Sequence, residues 1–287
     1  MKKAEIIILS GQSNAVGVGH AEYLPKHFPP EKVEKWKNGY QNIKINYFSH
    51  DKKSNGFVPT TIGCTEISKV TVGPELGIAD ALDERFPGRE FFIVKCAYGG
   101  MSLYRDFLSP SCGGPYDPEA LADQYENIVA SSEQGLPVRP GWSYNELVKI
   151  TRESIGILEA QGFVPSVKAF CWMQGEADSG TEENAEQYIG LYGHMISDFK
   201  KEFAGYMDGC LFLDAGIHEL WVFHEKINAA KKAFAEAHSD CVFIDTIAAG
   251  LTCAKEPEGC VDIYHYDSDS VIALGHLYAD RIPVEGQ

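Results

Sequence analysis

Short apolar runs alternate with amphipathic stretches along most of the chain. Five runs are rich in β-branched and aromatic residues and have the length of buried strands; they cover residues 6–9, 91–97, 167–173, 210–215 and 242–245. Between and after them, apolar residues recur at helical spacing, which predicts helices over about 74–86, 144–161, 183–203, 225–238 and 268–281. Strands that alternate with helices in this way predict an α/β fold, with helices on both faces of a parallel sheet.

Two long stretches lack this periodicity. Residues 20–72 are rich in Lys, Pro, Gly and aromatic residues; only residues 43–48 alternate and predict a short strand, and we interpret the remainder as loop. Residues 105–142 contain clusters of Pro, Gly, Ser and Asp, with one short helix expected around 120–131. Loops of this length tend to be functional. Since we find no repeat or linker, we predict a single domain over residues 1–287 with long loop insertions around 20–72 and 105–142.

Composition favours a folded protein and restricts its partners. Of the 287 residues, 44% are apolar and 11% aromatic, which is enough for a substantial core. Asp and Glu number 41 against 25 Lys and Arg, so the net charge is −16. Nucleic acids and anionic membrane surfaces are bound through basic patches, so we expect neither as a partner. No apolar run in the sequence approaches the roughly 20 residues of a membrane helix.

The N-terminus and the cysteines favour a cytoplasmic location. Residues 1–5 briefly resemble a signal peptide, but Glu5 interrupts them and the apolar run that follows is short. The eight cysteines are scattered without a Cys-x-x-Cys pair, which favours reduced core thiols over a zinc site or a disulfide framework. Cys253 and Cys260 flank a loop and are the one pair that we consider for oxidation. We expect no metal site and no cofactor.

Polar clusters follow four of the predicted strands, at the edge of the sheet where open α/β folds bind ligands. They cover residues 10–14, 98–102, 174–178 and 214–219. In the first cluster, Ser13 follows a buried strand on a turn of small and polar residues. If a helix begins there, its free N–H groups favour an anion at that spot. Ser13 is therefore our candidate nucleophile, although taken alone it is more simply interpreted as a helix N-cap.

A fifth polar cluster, residues 262–267, lies in a loop before the last predicted helix. An acid three residues before a histidine can reach its Nδ1 within one turn and leave Nε2 pointing outward, which is the orienting half of a Ser-His-Asp relay. A serine hydroxyl needs such a base because it is a weak nucleophile at neutral pH. We predict that His265 is the base for Ser13 and that Asp262 is its partner. Asp267 is the alternative partner, with less natural geometry.

Three donors could stabilise the oxyanion that forms when a serine attacks an ester: the backbone N–H groups of Ser13 and Gly100, and the side-chain amide of Gln174. Gly100 suits this role because it lacks a Cβ and lets a ligand approach closely. Glu176 is near enough in sequence to leave the third position open between it and Gln174. The candidate substrate-binding residues lie in or beside the polar clusters: Asn14, Glu176, His218, Trp221 and Tyr264.

Five motifs extend these observations over nearly the whole chain: Gly11-Gln12-Ser13-Asn14, Gly73-Pro74-Glu75, Lys95-x-Ala97-x-Gly99-Gly100-x-Ser102-Leu103, Trp172-x-Gln174-Gly175-Glu176-x-Asp178 and Asp262-x-x-His265. In type and order they resemble the sialate O-acetylesterase-like group of SGNH hydrolases, which includes the acetylxylan esterases of carbohydrate esterase family six. The fourth motif is the most specific. Two differences are that many SGNH enzymes have Asn in place of Gln174, and that relatives often have Phe where Tyr266 follows His265.

This resemblance implies a flavodoxin-like, three-layer α/β/α sandwich and metal-independent deacetylation of sugar esters. It assigns Ser13 as nucleophile, His265 as base and Asp262 as its partner, with Gly100 and Gln174 as oxyanion donors. We therefore predict a serine esterase that removes O-acetyl groups from carbohydrates, with an acetylated sugar or oligosaccharide as its substrate. The alternatives are a lipase or thioesterase for longer acyl chains, and a catalytically silent carbohydrate-binding protein of the same fold.

Overall fold

The strand Lys2–Gly11 (β1) is the centre of the sheet. The computed structural model describes residues 2–49, 52–64, 70–122 and 139–284. In β1 every residue from the third onward is buried, because mainly apolar side chains cover both faces of the strand. β1 runs parallel to Phe91–Ala97 (β7) on one side and to Phe163–Met173 (β8) on the other. The opening apolar run of the sequence therefore lies between two other buried strands.

Within the described residues, the central sheet has eight strands. Its order is Cys241–Ile244 (β10), Leu211–Ala215 (β9), β8, β1, β7, Tyr40–Ser49 (β3) and Lys52–Lys53 (β4), with Val58–Thr60 (β5) also paired to β3. The strands from β10 to β3 are parallel, whereas β4 and β5 are antiparallel to β3. Gly19–His20 (β2) and Thr71–Val72 (β6) form a separate antiparallel pair.

Helices pack around this sheet in two groups. The α-helices of the described residues are Ser13–Val16 (α1), Leu24–His27 (α2), Pro30–Asn38 (α3), Pro74–Arg85 (α4), Trp142–Ala160 (α5), Glu182–Glu202 (α6), His224–Ala237 (α7) and Ser268–Ala279 (α8). Helix α4 packs against α8, while α6 contacts both α5 and α7. The result is a three-layer α/β/α arrangement, which confirms the predicted fold class. Apart from the helix expected around 120–131, the predicted strands and helices outside residues 20–72 are found with ends shifted by a few residues.

The described part of residues 20–72 contains more regular structure than the predicted loop insertion. It contains helix α3 and the ten-residue strand β3, which joins the central sheet beside β7. Helix α3 buries only Val33 and Trp36 among charged neighbours, so its apolar pattern is too sparse to identify it. Strand β3 lies outside β7 at the edge of the parallel strands. The other parallel strands follow the order β7-β1-β8-β9-β10, which is the flavodoxin-like order 2-1-3-4-5 with β3 added.

The second predicted loop insertion is residues 105–142. The described part of this stretch contains turns, and the helix expected around 120–131 falls mostly outside the described residues. One cluster of buried side chains extends from Ala4 to Ile282, so the described residues share a core. Of the helices that the structure describes, none is both long and apolar enough to cross a bilayer.

Candidate active site

The ends of β1, β7 and β8 bring three of the predicted polar clusters to one level at the edge of the sheet. Gly11 pairs with Ala97 on one side and with Met173 on the other. All three strands end at this level, so the segments that follow them start side by side. These segments carry Ser13, Gly100 and Gln174.

Ser13 is the first residue of the four-residue helix α1, just beyond the sheet. A Cβ on Gly11 would lie 1.9 Å from the carbonyl oxygen of Met173, and Gly11 has φ of +139°, so only glycine fits at this close approach. The N-cap position belongs to Gln12, and no side chain caps the helix. The described residues offer no acceptor to the N–H of Ser13, so this donor is available to a ligand.

A buried ammonium group holds the other end of α1. Lys95, on β7, is fully buried; its Nζ lies 2.6 Å from the carbonyl oxygen of Val16 and 2.6 Å from Glu75 Oε2. Burial lowers the pKa of Lys95, and the charge and hydrogen bond of Glu75 oppose this effect. Since Val16 ends α1 and Glu75 lies in the first turn of α4, this pair fixes the helix that begins with Ser13.

His265 and Asp262 form the predicted pair. His265 Nδ1 lies 2.6 Å from Asp262 Oδ2, and Asp262 Oδ1 accepts the N–H of Tyr264 at 3.0 Å. Partial burial alone would raise the pKa of Asp262, but the hydrogen bond from His265 lowers it overall. The alternative partner, Asp267, instead accepts the backbone N–H groups of residues 255 and 256. The structure therefore pairs His265 with Asp262.

Asn14 connects the His265 loop to the turn that carries Ser13. Its Oδ1 accepts the N–H of Tyr266 at 3.0 Å, and its Nδ2 lies 3.4 Å from the carbonyl oxygen of Tyr264. The backbone on both sides of His265 is thus attached to the residue next to Ser13. Among the contacts between described residues there is no hydrogen bond from Ser13 Oγ to His265 itself; such catalytic hydrogen bonds often tighten only when substrate binds.

Two of the candidate substrate-binding residues are buried and contact each other. Asn14 is 2% exposed and Glu176 is 0% exposed. Asn14 Nδ2 donates to Glu176 Oε1 at 2.8 Å. Burial raises the pKa of Glu176, while this hydrogen bond and the nearby His265 work in the opposite direction. Both side chains therefore act on other parts of the protein.

Gln174 is also wholly buried, and its amide nitrogen faces acceptors of the protein. Nε2 lies 2.5 Å from Asp178 Oδ2, 3.1 Å from the carbonyl oxygen of Met101 and 3.3 Å from Gln12 Oε1. Its two amide hydrogens are therefore already engaged. In this arrangement Gln174 joins the ends of β1 and β8 to the loop after β7.

Asp178 holds the same loop through backbone donors. It accepts the N–H of Leu103 at 3.0 Å and the N–H of Tyr104 at 3.2 Å. Burial raises the pKa of Asp178 to about 6, although these hydrogen bonds favour the ionised form. Gly100, at the start of this loop, is exposed with φ of +72°. The described residues provide no acceptor for its N–H, which leaves a second available donor in the segment that follows β7.

An aromatic pair lies beside His265. The rings of Trp221 and Tyr264 are 5.3 Å apart, and Tyr264 is 53% exposed. His218 is 9% exposed, and its Nδ1 accepts the N–H of Leu220 at 3.3 Å. Burial lowers the pKa of His218. The loop after β9 therefore brings an apolar, partly exposed surface to the histidine of the site.

A second buried lysine was missed by the sequence reasoning. Lys231 Nζ lies 2.7 Å from Asp214 Oδ1 and 2.6 Å from the carbonyl oxygen of Gln174. Burial raises the pKa of Asp214 to about 6, although Lys231 opposes this effect. For Lys95, the need for a buried partner could have been recognised from the sequence, because a lysine inside an apolar strand requires one. The sequence pattern of helix α7 does not distinguish the buried Lys231 from the other lysines of that helix.

Neither metal-binding nor disulfide-bonded residues are found among the residues that the structure describes. No three side chains of His, Cys, Asp or Glu in this part of the chain are grouped so that they could hold a metal ion. Cys253 is buried and Cys260 is exposed, and both are free.

The fold is similar to several solved structures. NanS has 18% identity and a TM-score of 0.63, with 98% of this chain and 95% of NanS covered. A protein from Arabidopsis thaliana has 20% identity and a TM-score of 0.60, with 96% of each chain covered. A carbohydrate acetylesterase from Xanthomonas citri has 14% identity and a TM-score of 0.54, with 96% of this chain and 55% of that chain covered. At these identities the likeness establishes the fold.

The sequence itself establishes the family. No match to a curated protein was found. Residues 3–283 match the family model described as carbohydrate esterase, sialic acid-specific acetylesterase. This match covers nearly the whole chain, including every polar segment that meets at the sheet edge. The chain therefore belongs to the sialic acid-specific acetylesterase family of carbohydrate esterases.

Proposed function

We propose that this chain is a serine esterase that removes O-acetyl groups from carbohydrates, with Ser13 as nucleophile, His265 as base and Asp262 as its partner. The family match supports a carbohydrate esterase. The mechanism rests on one observation: the 2.6 Å contact between His265 and Asp262 occurs in a loop that Asn14 fastens beside Ser13.

In the proposed reaction, His265 Nε2 takes the proton of Ser13 Oγ as this oxygen attacks the acetyl carbonyl carbon. The tetrahedral intermediate then breaks its bond to the sugar oxygen, which leaves with the proton from His265. Water attacks the acetyl-serine in the same way, and acetate departs as Ser13 regains its proton. Asp262 orients the ring of His265 and stabilises the imidazolium that forms in each half-reaction.

We assign the oxyanion to the backbone N–H groups of Ser13 and Gly100. Both lack an acceptor among the described residues, whereas the amide of Gln174 faces three acceptors within the protein. Gln174 can donate to the oxyanion only by releasing one of them, so its main role is to hold the loop that carries Gly100. Removal of one oxyanion donor typically costs about 10²–10³ in rate.

We assign sugar binding to the exposed side of the aromatic pair. Tyr264 precedes His265 and is half exposed, so a sugar ring can lie against it while its acetyl group reaches Ser13. The ring of Trp221 packs against the ring of Tyr264 and supports it. His218 can offer Nε2 to a sugar hydroxyl, because its Nδ1 already accepts a backbone N–H.

Acetate release from an aryl acetate and from an acetylated sugar tests this proposal. Ser13→Ala should lower kcat by at least about 10³-fold, because it removes the nucleophile. Ser111→Ala, which removes an exposed hydroxyl on another loop, should leave kcat unchanged. Full activity of the Ser13 variant would contradict the mechanism. Binding of an acetylated glycan by the wild-type protein without release of acetate would indicate the silent binding protein instead.

A lipase or thioesterase is the second candidate, because apolar side chains are exposed on the two loops that meet at the aromatic pair. Leu220 is 51% exposed, Val222 75% and Ile263 45%. Such a surface could accept a longer acyl chain. Comparison of kcat/KM for acetyl and octanoyl aryl esters decides between the two candidates. We expect faster turnover of the acetyl ester, and faster turnover of the octanoyl ester would favour the lipase.

A further inference from the structure

Glu176 is the one acid of the fourth motif that binds no backbone N–H of a neighbouring loop. It follows the end of β8 and is 0% exposed, so no substrate can touch it. Its Oε1 accepts the Asn14 side chain at 2.8 Å. Its Oε2 is buried without a hydrogen-bond partner among the described residues. A buried carboxylate oxygen without a hydrogen-bond partner costs free energy, so its presence requires an explanation.

The contact determines how the amide of Asn14 is oriented. An ionised carboxylate only accepts hydrogen bonds, so Nδ2 of Asn14 must face Glu176. The Oδ1 atom then faces the N–H of Tyr266, which only donates, at 3.0 Å. Rotation of the amide by half a turn would place oxygen against carboxylate and NH₂ against N–H. Glu176 therefore stabilises the one orientation in which Asn14 can hold the backbone beside His265.

We propose that Glu176 is a positioning residue for His265: its carboxylate orients the Asn14 amide, and this amide holds the His265 loop against the Ser13 turn. The inference rests on the proposed function, because it treats His265 as the base. The negative charge of Glu176 also favours the imidazolium that His265 becomes during the reaction.

This proposal is tested by exchanging the amide at position 14 and the carboxylate at position 176, singly and together. In Asn14→Asp, two carboxylates face each other and the donor to Glu176 is lost, so kcat should fall about 100-fold, as expected for a misplaced catalytic group. In Glu176→Gln, the acceptor remains, but the neutral amide can also turn its NH₂ group toward Asn14, so the preference of Asn14 for one orientation weakens. We expect a fall in kcat of about tenfold with KM nearly unchanged.

The double variant N14D/E176Q restores the hydrogen bond with reversed polarity. The amide introduced at position 176 can donate to the carboxylate introduced at position 14, whose second oxygen still accepts the N–H of Tyr266. We expect its kcat to exceed that of N14D by about tenfold, a coupling that two unrelated effects would not show. Glu186→Gln, which neutralises an exposed acid on α6, is the control and should leave kcat and KM unchanged.

Hydrogen exchange of the Tyr266 amide gives a readout that does not depend on turnover. Its protection should fall at least about tenfold in N14D, because repulsion between the two carboxylates displaces the side chain at position 14 that accepts the Tyr266 N–H, and it should recover in the double variant. The positioning role is contradicted if the double variant recovers neither kcat nor protection, or if E176Q raises KM with kcat unchanged. If the wild-type protein releases no acetate, the proposed function fails, and the exchange measurement still decides whether Glu176 orients Asn14.

Discussion

At the scale of single residues, most polar side chains of the site form hydrogen bonds that fix backbone segments in place. We call them holding residues. Asn14 holds the backbone around His265, Asp178 holds the loop after β7, and Lys95 holds the end of α1. We propose that only a few groups act on the substrate, chiefly Ser13 and the outer nitrogen of His265. A substitution of a holding residue should therefore lower kcat by moving another group, with little effect on KM.

Asp262 has the most direct effect on His265. Asp262→Asn should lower kcat by about 10³–10⁴-fold, because the amide favours the wrong tautomer of the imidazole. The melting temperature should change little, since the Asp262 side chain is 38% exposed. Asp267→Asn should leave kcat within a few-fold of wild type. Steady-state kinetics of both variants test this prediction, and a larger loss in the Asp267 variant would contradict the pairing.

The residues that we propose to react were predicted from the sequence, but most of the holding residues could not be. Ser13 and the Asp262-x-x-His265 spacing carry a local chemical signature. Asn14 and Glu176 are 162 positions apart, and Asp178 and Leu103 are 75 positions apart. No periodicity specifies such contacts, because they arise only when the strands are aligned. Glu176 was therefore interpreted as a substrate-binding candidate although it is wholly buried.

At the scale of elements, strands and helices with a strong apolar pattern were predicted correctly, whereas the charged helix α3 was missed. That helix is held by polar contacts to α4. Asp80, on α4, is 0% exposed and is within bonding distance of four side chains from α3, β3 and α8: Lys32, Trp36, Tyr40 and His276. Burial alone would raise the pKa of Asp80, but these contacts hold it well below its usual value.

Asp80→Asn should lower the free energy of unfolding by about 3 kcal/mol, because it removes the charge on which these partners converge. A carboxylate with a lowered folded-state pKa stabilises the fold above its unfolded pKa of about 3.9, and this contribution is lost as the pH falls below it. The difference in the free energy of unfolding between wild type and Asp80→Asn should therefore become smaller as the pH falls from about 5 to 2.5. Urea unfolding at several pH values measures it.

Asp83→Asn is the matched control on the same helix. Asp83 has a side chain that is 22% exposed and pairs with Lys35 at 3.0 Å. Its loss should cost less than about 1 kcal/mol. Equal effects of the two substitutions, or a difference that does not depend on pH, would contradict the role of Asp80.

The close crossing of α4 and α8 depends on glycine. A Cβ on Gly275 would lie 2.2 Å from the carbonyl oxygen of Pro74, so Gly275→Ala must push the helices apart. We expect a loss of about 1–3 kcal/mol in the free energy of unfolding. Gly190→Ala, in a helix position with nothing within 4 Å of the new Cβ, should instead stabilise by about 0.5–1 kcal/mol. Thermal unfolding of both variants tests this, and equal shifts would contradict it.

At the scale of the whole molecule, a parallel sheet brings four distant segments to one edge. The alternation of strands and helices predicted this sheet and the edge on which the polar clusters meet. It could not predict that β3 lies outside β7, since every parallel order of these strands buries the same apolar runs. The order matters because it places β7 and β8 beside β1, and thus the Gly100 and Gln174 segments beside Ser13.

The net charge of −16 should affect the choice of substrate. An anionic sugar such as an O-acetylated sialic acid is repelled at low ionic strength, and salt screens this repulsion. We therefore expect kcat/KM for the anionic substrate to rise severalfold between about 10 mM and 0.5 M salt. For a neutral acetylated sugar it should remain constant. An anionic substrate that is hydrolysed more slowly as salt is added would indicate a locally positive site.

The most direct test of the central claim is to locate the nucleophile by covalent labelling. The wild-type protein is treated with a fluorophosphonate, which modifies serines activated by a neighbouring base, and the labelled peptide is identified by mass spectrometry. We predict one label per chain, on Ser13, and its loss in His265→Ala. Labelling of a different serine, or equally fast labelling of Ser13 in the His265 variant, would contradict the account.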